Sequence, residues 1–429
     1  MTLISSHNTV LLNSIMDLTA LFVDFDAYFA SAEQHMQPHL RGKPVGIAPV
    51  LAETSCCIAA SYEAKAHGIK TGTSIGDARK LCPGIQIVQA RPAKYVELHH
   101  RLVAAVESCI HVEDVLSIDE MWCWLPYNLR EPETVQDIGQ KIKRAIHDQV
   151  GPWINGSVGA APNRWLAKMA SKMRKPDGLF IIESTQLPEI LYELELRDIH
   201  GVGRAMELRL HANGIHDVRA LCHATRKQLH TAWGGIEGDR LWLQLRGKEV
   251  PTTATERRSI GHSHVLPPDK RRADAAVSVL HKLTQKAAQR LRSHGMLAQR
   301  FSLSLRYLRG GNWHLEASLE ATDDSLTLAH AASHLWKQRP HHQEQLLKIS
   351  MVLGQLVDQA NYTPSLFKEA DSAAYQAGKN RQTLNKSMDK IVKKFGKQSI
   401  YLGGAHDAIE AAPMRISFGH IPDLDLERD

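Results

Sequence analysis

An apolar run at residues 19–25 is the clearest pattern in the first part of the chain, and Asp24 and Asp26 lie at its end. Such a run is typical of a buried β-strand, and helical spacing of apolar residues follows it at 28–36. From residue 93 onward helices and strands alternate, and the predicted elements lie at 93–110, 112–118, 121–125, 133–149, 153–159 and 163–173. Alternation of this kind predicts a mixed α/β sheet.

The segments around this block differ from it in character. Residues 36–92 combine short apolar stretches with Gly and Pro turns, which predicts a small insert with short strands. Residues 185–247 are predicted to form short helices separated by glycines. The polar stretch 248–255 has no periodicity and is predicted to be a linker.

Residues 257–354 predict a second unit that contains a sheet. Phe301, Leu303 and Leu305 alternate with polar residues, as in a half-buried strand, and residues 273–293 carry apolar positions at helical spacing. The predicted elements are strand 257–265, helix 273–293, strands 299–308 and 312–320, helix 325–338 and strand 346–354. This βαββαβ order indicates a ferredoxin-like arrangement. Beyond it, an extended segment is predicted at 361–367 and a basic helix at 383–395.

Length and composition restrict the class of protein. A chain of 429 residues suggests about three domains. Its 43% hydrophobic and 23% charged residues exclude a disordered, collagen-like or coiled-coil chain. Neither a membrane span nor a secretory signal is expected, because no long apolar stretch occurs and residues 1–17 lack a basic start followed by an apolar run. The six cysteines form no CxxC pair, so we expect reduced thiols in a cytoplasmic protein.

Positive charge is concentrated in one part of the chain. Between Arg246 and Trp313 there are 14 lysine and arginine residues against four acidic ones, a local net charge of +10, whereas the whole chain carries +6. Such an excess indicates either contacts with phosphate groups or a solvated basic surface.

Two groups of carboxylates lie where predicted strands end. Asp24 ends the first strand, and Asp119 and Glu120 follow the strand at 112–118. Buried carboxylates are costly unless they are paired or bind cations. If the two strands are neighbours, the three side chains converge as oxygen ligands of the kind that Mg²⁺ prefers. Two such ions could activate a hydroxyl and neutralise a leaving pyrophosphate. Alternatively, each acid caps a helix or pairs with a basic residue.

Five motifs in one order resemble those of the Y-family (translesion) DNA polymerases, collinear over residues 19–360. They are VDFDAYFAS, SYEAKAHGIKTG, SIDE, VGAAPNRWLAKMASKMRKPDG and IHGVGRAMELRLHANGI. The resemblance implies an α/β (α+β) multidomain right-hand polymerase of the DNA polymerase IV or polymerase V catalytic-subunit type. Its expected parts are an N-terminal extension (1–17), a ferredoxin-like palm (18–35 and 93–182), inserted fingers (36–92), a helix-hairpin-helix thumb (183–247), a linker (248–255), a βαββαβ little finger (256–358) and a C-terminal tail (359–429).

The resemblance also implies a metal site. Asp24, Asp119 and Glu120 match the acids that hold two Mg²⁺ ions in the family. Phe25 matches the residue that supplies a backbone carbonyl to a metal. Asp26 does not match a ligand, and we expect it to be structural.

Four further residues match nucleotide contacts of the family. Phe29 matches the steric gate, an aromatic ring that leaves no room for a 2′-hydroxyl, although by itself it would be interpreted as a core aromatic residue. Tyr62, Lys65 and Lys175 match groups that contact the incoming triphosphate, although the lysines alone would be interpreted as surface charges. Many relatives have Arg in place of Lys65, and Thr where Ala59 stands, so the details of triphosphate binding are expected to differ here.

Contacts with DNA are expected in two places. Gly201 and Gly203 match a helix-hairpin-helix turn, which lets backbone N–H groups approach a phosphate without reading sequence, although the same pattern occurs in ordinary turns. In the little finger, Arg257, Arg258 and Arg306 are predicted to contact the DNA backbone.

The tail contains a candidate for partner binding. Residues 363–367 resemble the peptide by which bacterial polymerases dock on the sliding clamp, although the usual leading Gln is absent. Leu366 and Phe367 would be the anchors, and burial against the tail helix is the alternative. Accessory proteins of the SOS response are a further expectation.

The predicted function is template-directed addition of deoxynucleoside triphosphates to the primer 3′-hydroxyl of a primer-template DNA, with low fidelity, in damage tolerance. The predicted location is the bacterial cytoplasm, at the nucleoid. One alternative is a catalytically silent, polymerase-like mutasome adaptor that binds DNA and the clamp. Retention of all three acids argues against it. Another is a two-metal nucleotide cyclase, which would have no use for a helix-hairpin-helix turn or a basic little finger.

Overall fold

A computed structural model of the chain describes residues 18–251, 257–340, 345–363, 373–396, 399–411, 416 and 421–422, with the backbone alone at 373–379. Two compact units divide the chain between residues 253 and 254. Across the described part of the chain, no helix combines the length and the apolar character that a bilayer span requires. All six cysteines are free thiols in the structure.

Within the described ranges the first unit has eight strands and ten α-helices. The strands are β1 (Ala20–Phe25), β2 (Val45–Ala48), β3 (Ala59–Ala60), β4 (Gln86–Gln89), β5 (Asp114–Val115), β6 (Glu120–Trp124), β7 (Gly156–Ala161) and β8 (Leu179–Ile181). The helices are α1 (Tyr28–Met36), α2 (Tyr62–Lys65), α3 (Ile75–Leu81), α4 (Pro92–Glu107), α5 (Pro132–Gln149), α6 (Arg164–Met173), α7 (Arg204–Ala212), α8 (Val218–His223), α9 (Arg226–Trp233) and α10 (Ile236–Gln244).

The second unit has four strands and three α-helices in its described residues. The strands are β9 (Ser259–Val265), β10 (Met296–Tyr307), β11 (Asn312–Thr322) and β12 (Leu346–Asp358). The helices are α11 (Ala273–Ser293), α12 (Ser325–Lys337) and α13 (Ala373–Phe395).

A five-stranded sheet with the order β5-β6-β1-β7-β8 forms the framework of the first unit. Strand β1 lies in its middle, antiparallel to β6 and β7, and all six of its residues are buried. The four strands β5, β6, β1 and β7 have the ferredoxin-like order, and β8 adds a parallel edge strand. The ferredoxin-like fold predicted for this part is therefore confirmed. Only two residues of the strand predicted at 112–118 pair, and both are exposed.

Helix α6 lies against the middle of this sheet because β7 is built from small residues. Leu166, Ala167 and Ala170 of the helix share an apolar cluster with Phe22 of β1. Asn163 begins the helix with a side-chain cap, its Oδ1 accepting the Leu166 N–H at 2.7 Å. The backbone of α6 can therefore approach the sheet closely, which places its polar side chains beside the end of β1.

The insert between α1 and α4 has a sheet of its own, with the order β3-β2-β4. Its core consists mainly of small residues, among them Cys57, Ala60, Ala64 and Ala78. This agrees with the predicted small insert of short strands.

Residues 184–247 consist of short helices and 3₁₀ turns, as predicted. Helix α7 begins directly after Gly203, and Gly201 has a φ of 94°, which a side chain would disfavour. The element before this turn is a single 3₁₀ turn at Leu196–Asp198, shorter than an α-helix.

The second unit confirms the predicted βαββαβ order, with all strand pairs antiparallel in the order β11-β10-β12-β9. The ferredoxin-like arrangement expected for it is wrong, however, because its second and fourth strands are central instead of its first and third. These strands, β10 and β12, are the longest at 12 and 13 residues, and they pair along nearly their whole length. The tail helix α13 begins ten residues earlier than the predicted 383.

The close approach of α6 to β7 generates a prediction about stability. A Cβ on Gly159 would lie 2.1 Å from the backbone nitrogen of Ser171 and 2.2 Å from the carbonyl oxygen of Ala167. We expect Gly159→Ala to lower the free energy of unfolding by at least about 1–3 kcal/mol, because α6 must move. Gly84→Ala is the control, since no atom lies within 4 Å of its Cβ. Denaturant titrations in which the two variants unfold alike would contradict the prediction.

Candidate active site

The carboxylates of Asp24 and Glu120 lie side by side because β1 and β6 pair in a register that sets these two residues directly opposite each other. Side chains of directly opposed residues in an antiparallel pair point to the same face of the sheet. Asp24 is 6% exposed. Two of the three predicted metal ligands therefore meet on one face of the central strands.

The third acid, Asp119, is held by the turn that leads into β6. Its carbonyl oxygen accepts the N–H of Phe25 at 2.8 Å, which ties the turn to the end of β1. Its carboxylate accepts the hydroxyl of Ser117 at 2.6 Å. The buried ring of His99 supports the same turn, as its Nδ1 donates to the carbonyl of Ile118 at 2.8 Å. Burial lowers the pKa of His99 to about 4, so the ring is neutral at pH 7.

Burial makes Asp24 and Asp119 hard to ionise. The pKa of Asp24 is raised to about 6. Burial is the main cause, the charges of Asp119 and Glu120 add to the rise, and Lys175 opposes it. Burial also raises the pKa of Asp119. Burial and the charges of the neighbouring acids therefore oppose the ionisation of Asp24 and Asp119, which is the condition that a bound cation relieves.

Lysines from α6 and from the turn after it neutralise the acids. Lys168 Nζ lies 2.7 Å from Glu120 Oε2, and Lys175 contacts both Asp24 and, at 3.5 Å, Asp26. Lys172 lies close enough to interact electrostatically with Asp24 and Glu120. Lys168 and Lys172 are spaced i and i+4 on α6, and Lys175 lies in the turn after the helix ends at Met173, so these two segments present three cations to the acids.

Asp26 has the structural role predicted for it and connects four segments. Its carboxylate oxygens lie 2.8 and 3.0 Å from the hydroxyl of Ser157 on β7, and one of them accepts the backbone N–H of Asp177 at 2.7 Å. The hydroxyl of Tyr62 donates to it at 3.3 Å. Asp26 therefore fixes Tyr62 and the turn that carries Lys175 beside the acids.

Lys65 lies in the same cluster. Its Nζ is 4.2 Å from the centre of the Tyr62 ring, a cation–π contact. Burial lowers the pKa of Lys65, and the nearby charge of Lys175 lowers it further. Two crowded ammonium groups next to a tyrosine hydroxyl form a site that would gain from a polyanion such as a triphosphate.

Phe29 is half-buried on α1, next to the acid site in sequence and in space. Its ring stacks on Tyr95 with centroids 4.7 Å apart. The Tyr95 hydroxyl in turn donates to Glu33 at 2.7 Å, and Arg91 pairs with the same carboxylate. These contacts hold the Phe29 ring in one place, as a steric gate requires.

The donor set suits a hard divalent cation. Carboxylate oxygens of Asp24, Asp119 and Glu120, with a backbone carbonyl at Phe25, are the ligands that Mg²⁺ prefers. The acids are nevertheless not arranged around a shared metal position, since no such group of three or more is found among the described residues. Instead, Lys168 forms an ion pair with Glu120, and Lys175 forms one with Asp24.

The remaining predicted residues belong to other segments of the chain. Gly201 and Gly203 flank the turn before α7, and a Cβ on either would meet no atom within 4 Å. In the second unit Arg257, Arg258 and Arg306 are exposed, and Arg257 contacts His294. Leu366 and Phe367 lie outside the described residues.

Sequence reasoning missed Lys168 and Lys172 as part of the site, although their spacing from Lys175 on a helix of the fourth motif was a usable signal. The contribution of His99 could not be found, because nothing in the sequence indicates that α4 packs against the turn before Asp119.

Comparisons with known proteins agree with this geometry. A model of the impB/mucB/samB family matches residues 23–172, and a model of that family's C-terminal domain matches residues 257–366. The chain is 27% identical to DNA polymerase IV 1 of Bacillus subtilis, over 92% of this chain and 95% of that protein. It is 33% identical to DNA polymerase IV of Moorella thermoacetica, over 68% of this chain and 73% of that protein.

The chain belongs to the Y-family of DNA polymerases. The fold agrees, since a solved chimera of Y-family DNA polymerases superposes with a TM-score of 0.66 at 23% identity, over 79% of this chain and 99% of the chimera. A second solved structure, an insertion ternary complex of Dbh DNA polymerase, gives a TM-score of 0.52 at 22% identity over the same shares of both chains. The prediction of a translesion-type, DNA-directed DNA polymerase is confirmed, and the adaptor alternative is not favoured.

The raised pKa of Asp24 predicts a pH effect in the metal-free protein. The folded state binds this proton more tightly than the unfolded state, so stability falls as pH rises from about 4 through about 6. Asp24→Asn removes this penalty. We expect it to be more stable than wild type at pH 8, by on the order of 2 kcal/mol, with the difference vanishing below pH 4.

The measurement is thermal unfolding in chelator at several pH values. Asp137→Asn, an exposed acid on α5, is the matched control and should follow wild type throughout. A variant Asp24→Asn that is less stable than wild type at pH 8 would contradict the prediction.

Proposed function

We propose that this Y-family polymerase adds deoxynucleotides to a primer 3′-hydroxyl with two Mg²⁺ ions held by Asp24, Asp119, Glu120 and the carbonyl of Phe25. The observation that carries the proposal is the opposed register of Asp24 and Glu120, with the Asp119 turn bonded to the end of β1. When bound, the metal ions would activate the attacking hydroxyl and neutralise the leaving pyrophosphate.

The chain's own cations would bind the triphosphate. Lys175 and Lys65 lie beside the acids, and the Tyr62 hydroxyl is positioned by Asp26. Lys175 neutralises Asp24 while no metal is bound, and it becomes available to a phosphate oxygen once a cation takes its place. Lys168, which pairs with Glu120, would make the same exchange.

Selection of the sugar is assigned to Phe29. Its ring is fixed from behind by Tyr95, which is itself fully buried and bonded to Glu33. A ring that cannot retreat would collide with a 2′-hydroxyl, so ribonucleotides would be rejected by steric exclusion.

The structural parts would take the roles of the family's domains, with the boundaries expected from the sequence. The five-stranded sheet would be the palm, the three-stranded insert the fingers, the helical segment 183–247 the thumb, and the second unit the little finger. The turn at Gly201 and Gly203 would receive a DNA phosphate at the start of α7.

The open face of the four-stranded sheet would lie along the DNA backbone. Arg306 of β10 stands directly opposite Lys348 of β12, a pairing of like charges that is unfavourable in the free protein and favourable against a phosphate. Arg257 and Arg258 lie just before β9 and would add to this surface.

We also propose protein partners in addition to DNA and nucleotides. Leu366 and Phe367 would anchor the chain in the sliding clamp, and SOS accessory proteins would act with it in the bacterial cytoplasm, at the nucleoid. The clamp contact is tested by primer extension in the presence of the clamp, in which wild type is compared with Leu366→Ala/Phe367→Ala.

Primer extension tests the proposed metal site. We expect wild type to extend a primer on an undamaged template with Mg²⁺ and four deoxynucleotides. Asp119→Ala/Glu120→Ala should lose at least about a thousandfold in rate, because two of the three proposed metal-binding carboxylates are gone.

Glu133→Ala/Asp137→Ala is the matched control, since it removes two exposed acids from α5. It should extend primers like wild type. Equal rates for the two double variants would rule out the proposed metal site.

A second assay tests the role of Phe29. In Phe29→Ala the space under the sugar opens, so we expect discrimination against ribonucleotides to fall by at least about tenfold, or ~1.4 kcal/mol. Single-nucleotide incorporation with paired deoxy- and ribonucleotides measures it. Unchanged discrimination, with deoxynucleotide incorporation retained, would show that another group excludes the 2′-hydroxyl.

A further inference from the structure

Helix α13 has two faces of different character. Asn385, Met388, Asp389 and Val392, at helical spacing, are buried or half-buried. A second set, spaced i, i+4, i+7 and i+8, is exposed and entirely basic. We call this set the lysine stripe, and its members are Lys386, Lys390, Lys393 and Lys394.

The inner face of α13 is held on the second unit by specific polar contacts. Asp389 makes two bonds to the Arg292 guanidinium of α11, at 2.6 and 2.8 Å. The buried Asn385 side chain donates to Asp324 at 2.9 Å. These contacts fix the rotation of the helix about its axis, so the lysine stripe points away from the unit that carries it.

No acid of the helix compensates the stripe. Residues 373–396 contain six lysine and arginine residues and a single acid, Asp389, which is already bonded to Arg292. Four like charges along one face repel each other, and only Lys393 and Lys394, in the last turn, gain a favourable interaction with the helix dipole. Such an arrangement is explained by a polyanionic ligand.

An exposed aromatic ring ends the stripe. Phe395 is 66% exposed, and the ammonium group of Lys394 lies 5.1 Å from the centre of its ring. Leu384 adds a second exposed apolar side chain, at 45%. A row of cations that ends in an exposed aromatic ring is the combination with which proteins bind single strands, through phosphates and one stacked base.

We propose that the lysine stripe and Phe395 form a binding site for a single strand of nucleic acid, separate from the polymerase site. Helices α11 and α12 cover one face of the four-stranded sheet, and α13 is anchored to α11 and to the start of α12. The stripe is therefore not part of the open sheet face assigned to the primer-template duplex. For a polymerase, the nucleic acid at hand is its own unpaired template.

Salt dependence of binding tests the proposal with the full chain and an oligothymidine strand. Lys390→Gln/Lys394→Gln removes two charges from the stripe. We expect the slope of log K against log salt to become less negative by about 1.4, because each phosphate contact to a single strand contributes about 0.7. Gln matches Lys in helix propensity, so α13 is retained.

The matched control is Lys141→Gln/Arg144→Gln, which removes two exposed charges from α5 in the first unit. It lowers the net charge by the same amount, and we expect it to leave the slope unchanged. Equal changes in slope for the two pairs would overturn the proposal, because the effect would then be one of net charge alone.

Substitutions of Phe395 test whether its ring stacks on a base of the single strand. We expect Phe395→Ala to weaken binding of the single strand by at least about fivefold and Phe395→Trp to restore it. A blunt duplex, which offers no free base to stack on, should bind both variants like wild type. Weakening that is equal for duplex and single strand would overturn the assignment. The proposal would also be overturned if the variants of the lysine stripe bound the single strand like wild type but no longer bound an acidic protein partner.

Discussion

The structure depends on the balance between three clustered carboxylates, of which Asp24 is buried and Asp119 and Glu120 are half-buried, and the lysines that face them. Asp24 and Glu120 are brought together by strand register, and Asp119 by the turn bonded to Phe25. Burial, and to a smaller extent the charges of the neighbouring acids, raises the pKa of Asp24, and α6 and the turn after it deliver ammonium groups that oppose this rise. That delivery in turn requires small residues on β7, which let the helix backbone lie against the sheet. Catalytic demand, charge balance and packing therefore constrain the same few elements.

Asp26 connects this charge balance to nucleotide binding. A single buried carboxylate bonds to Ser157 of the sheet, to the backbone of the turn that carries Lys175, and to Tyr62 of the insert. The insert packs against α1 through a small apolar cluster, in which Leu40, Val45 and Ile47 lie against Ala30. The hydrogen bonds of Asp26 at the end of β1 add to this packing, and they hold the proposed phosphate-binding groups beside the proposed metal ligands.

The second unit is built for surface contact. Its sheet buries one face under α11 and α12 and leaves on the other a polar surface where Arg306 and Lys348 stand opposite each other. Helix α13 likewise has one face held against the unit, through Asp389, and presents lysines on its outer face. In both places like charges lie close together, and the proposed contacts with a phosphate backbone would relieve their repulsion.

The sequence by itself determined the class of protein, the βαββαβ order and helices such as 28–36 and 273–293, because periodicity and motifs are local properties. It also identified the acids, since carboxylates at the ends of apolar strands require an explanation. Only the tertiary structure decided the strand order of the second unit, the roles of Lys168 and His99, and the outward face of α13. Each depends on which segments, distant along the chain, lie side by side, and the energy of such contacts is shared between partners that neither sequence segment specifies alone.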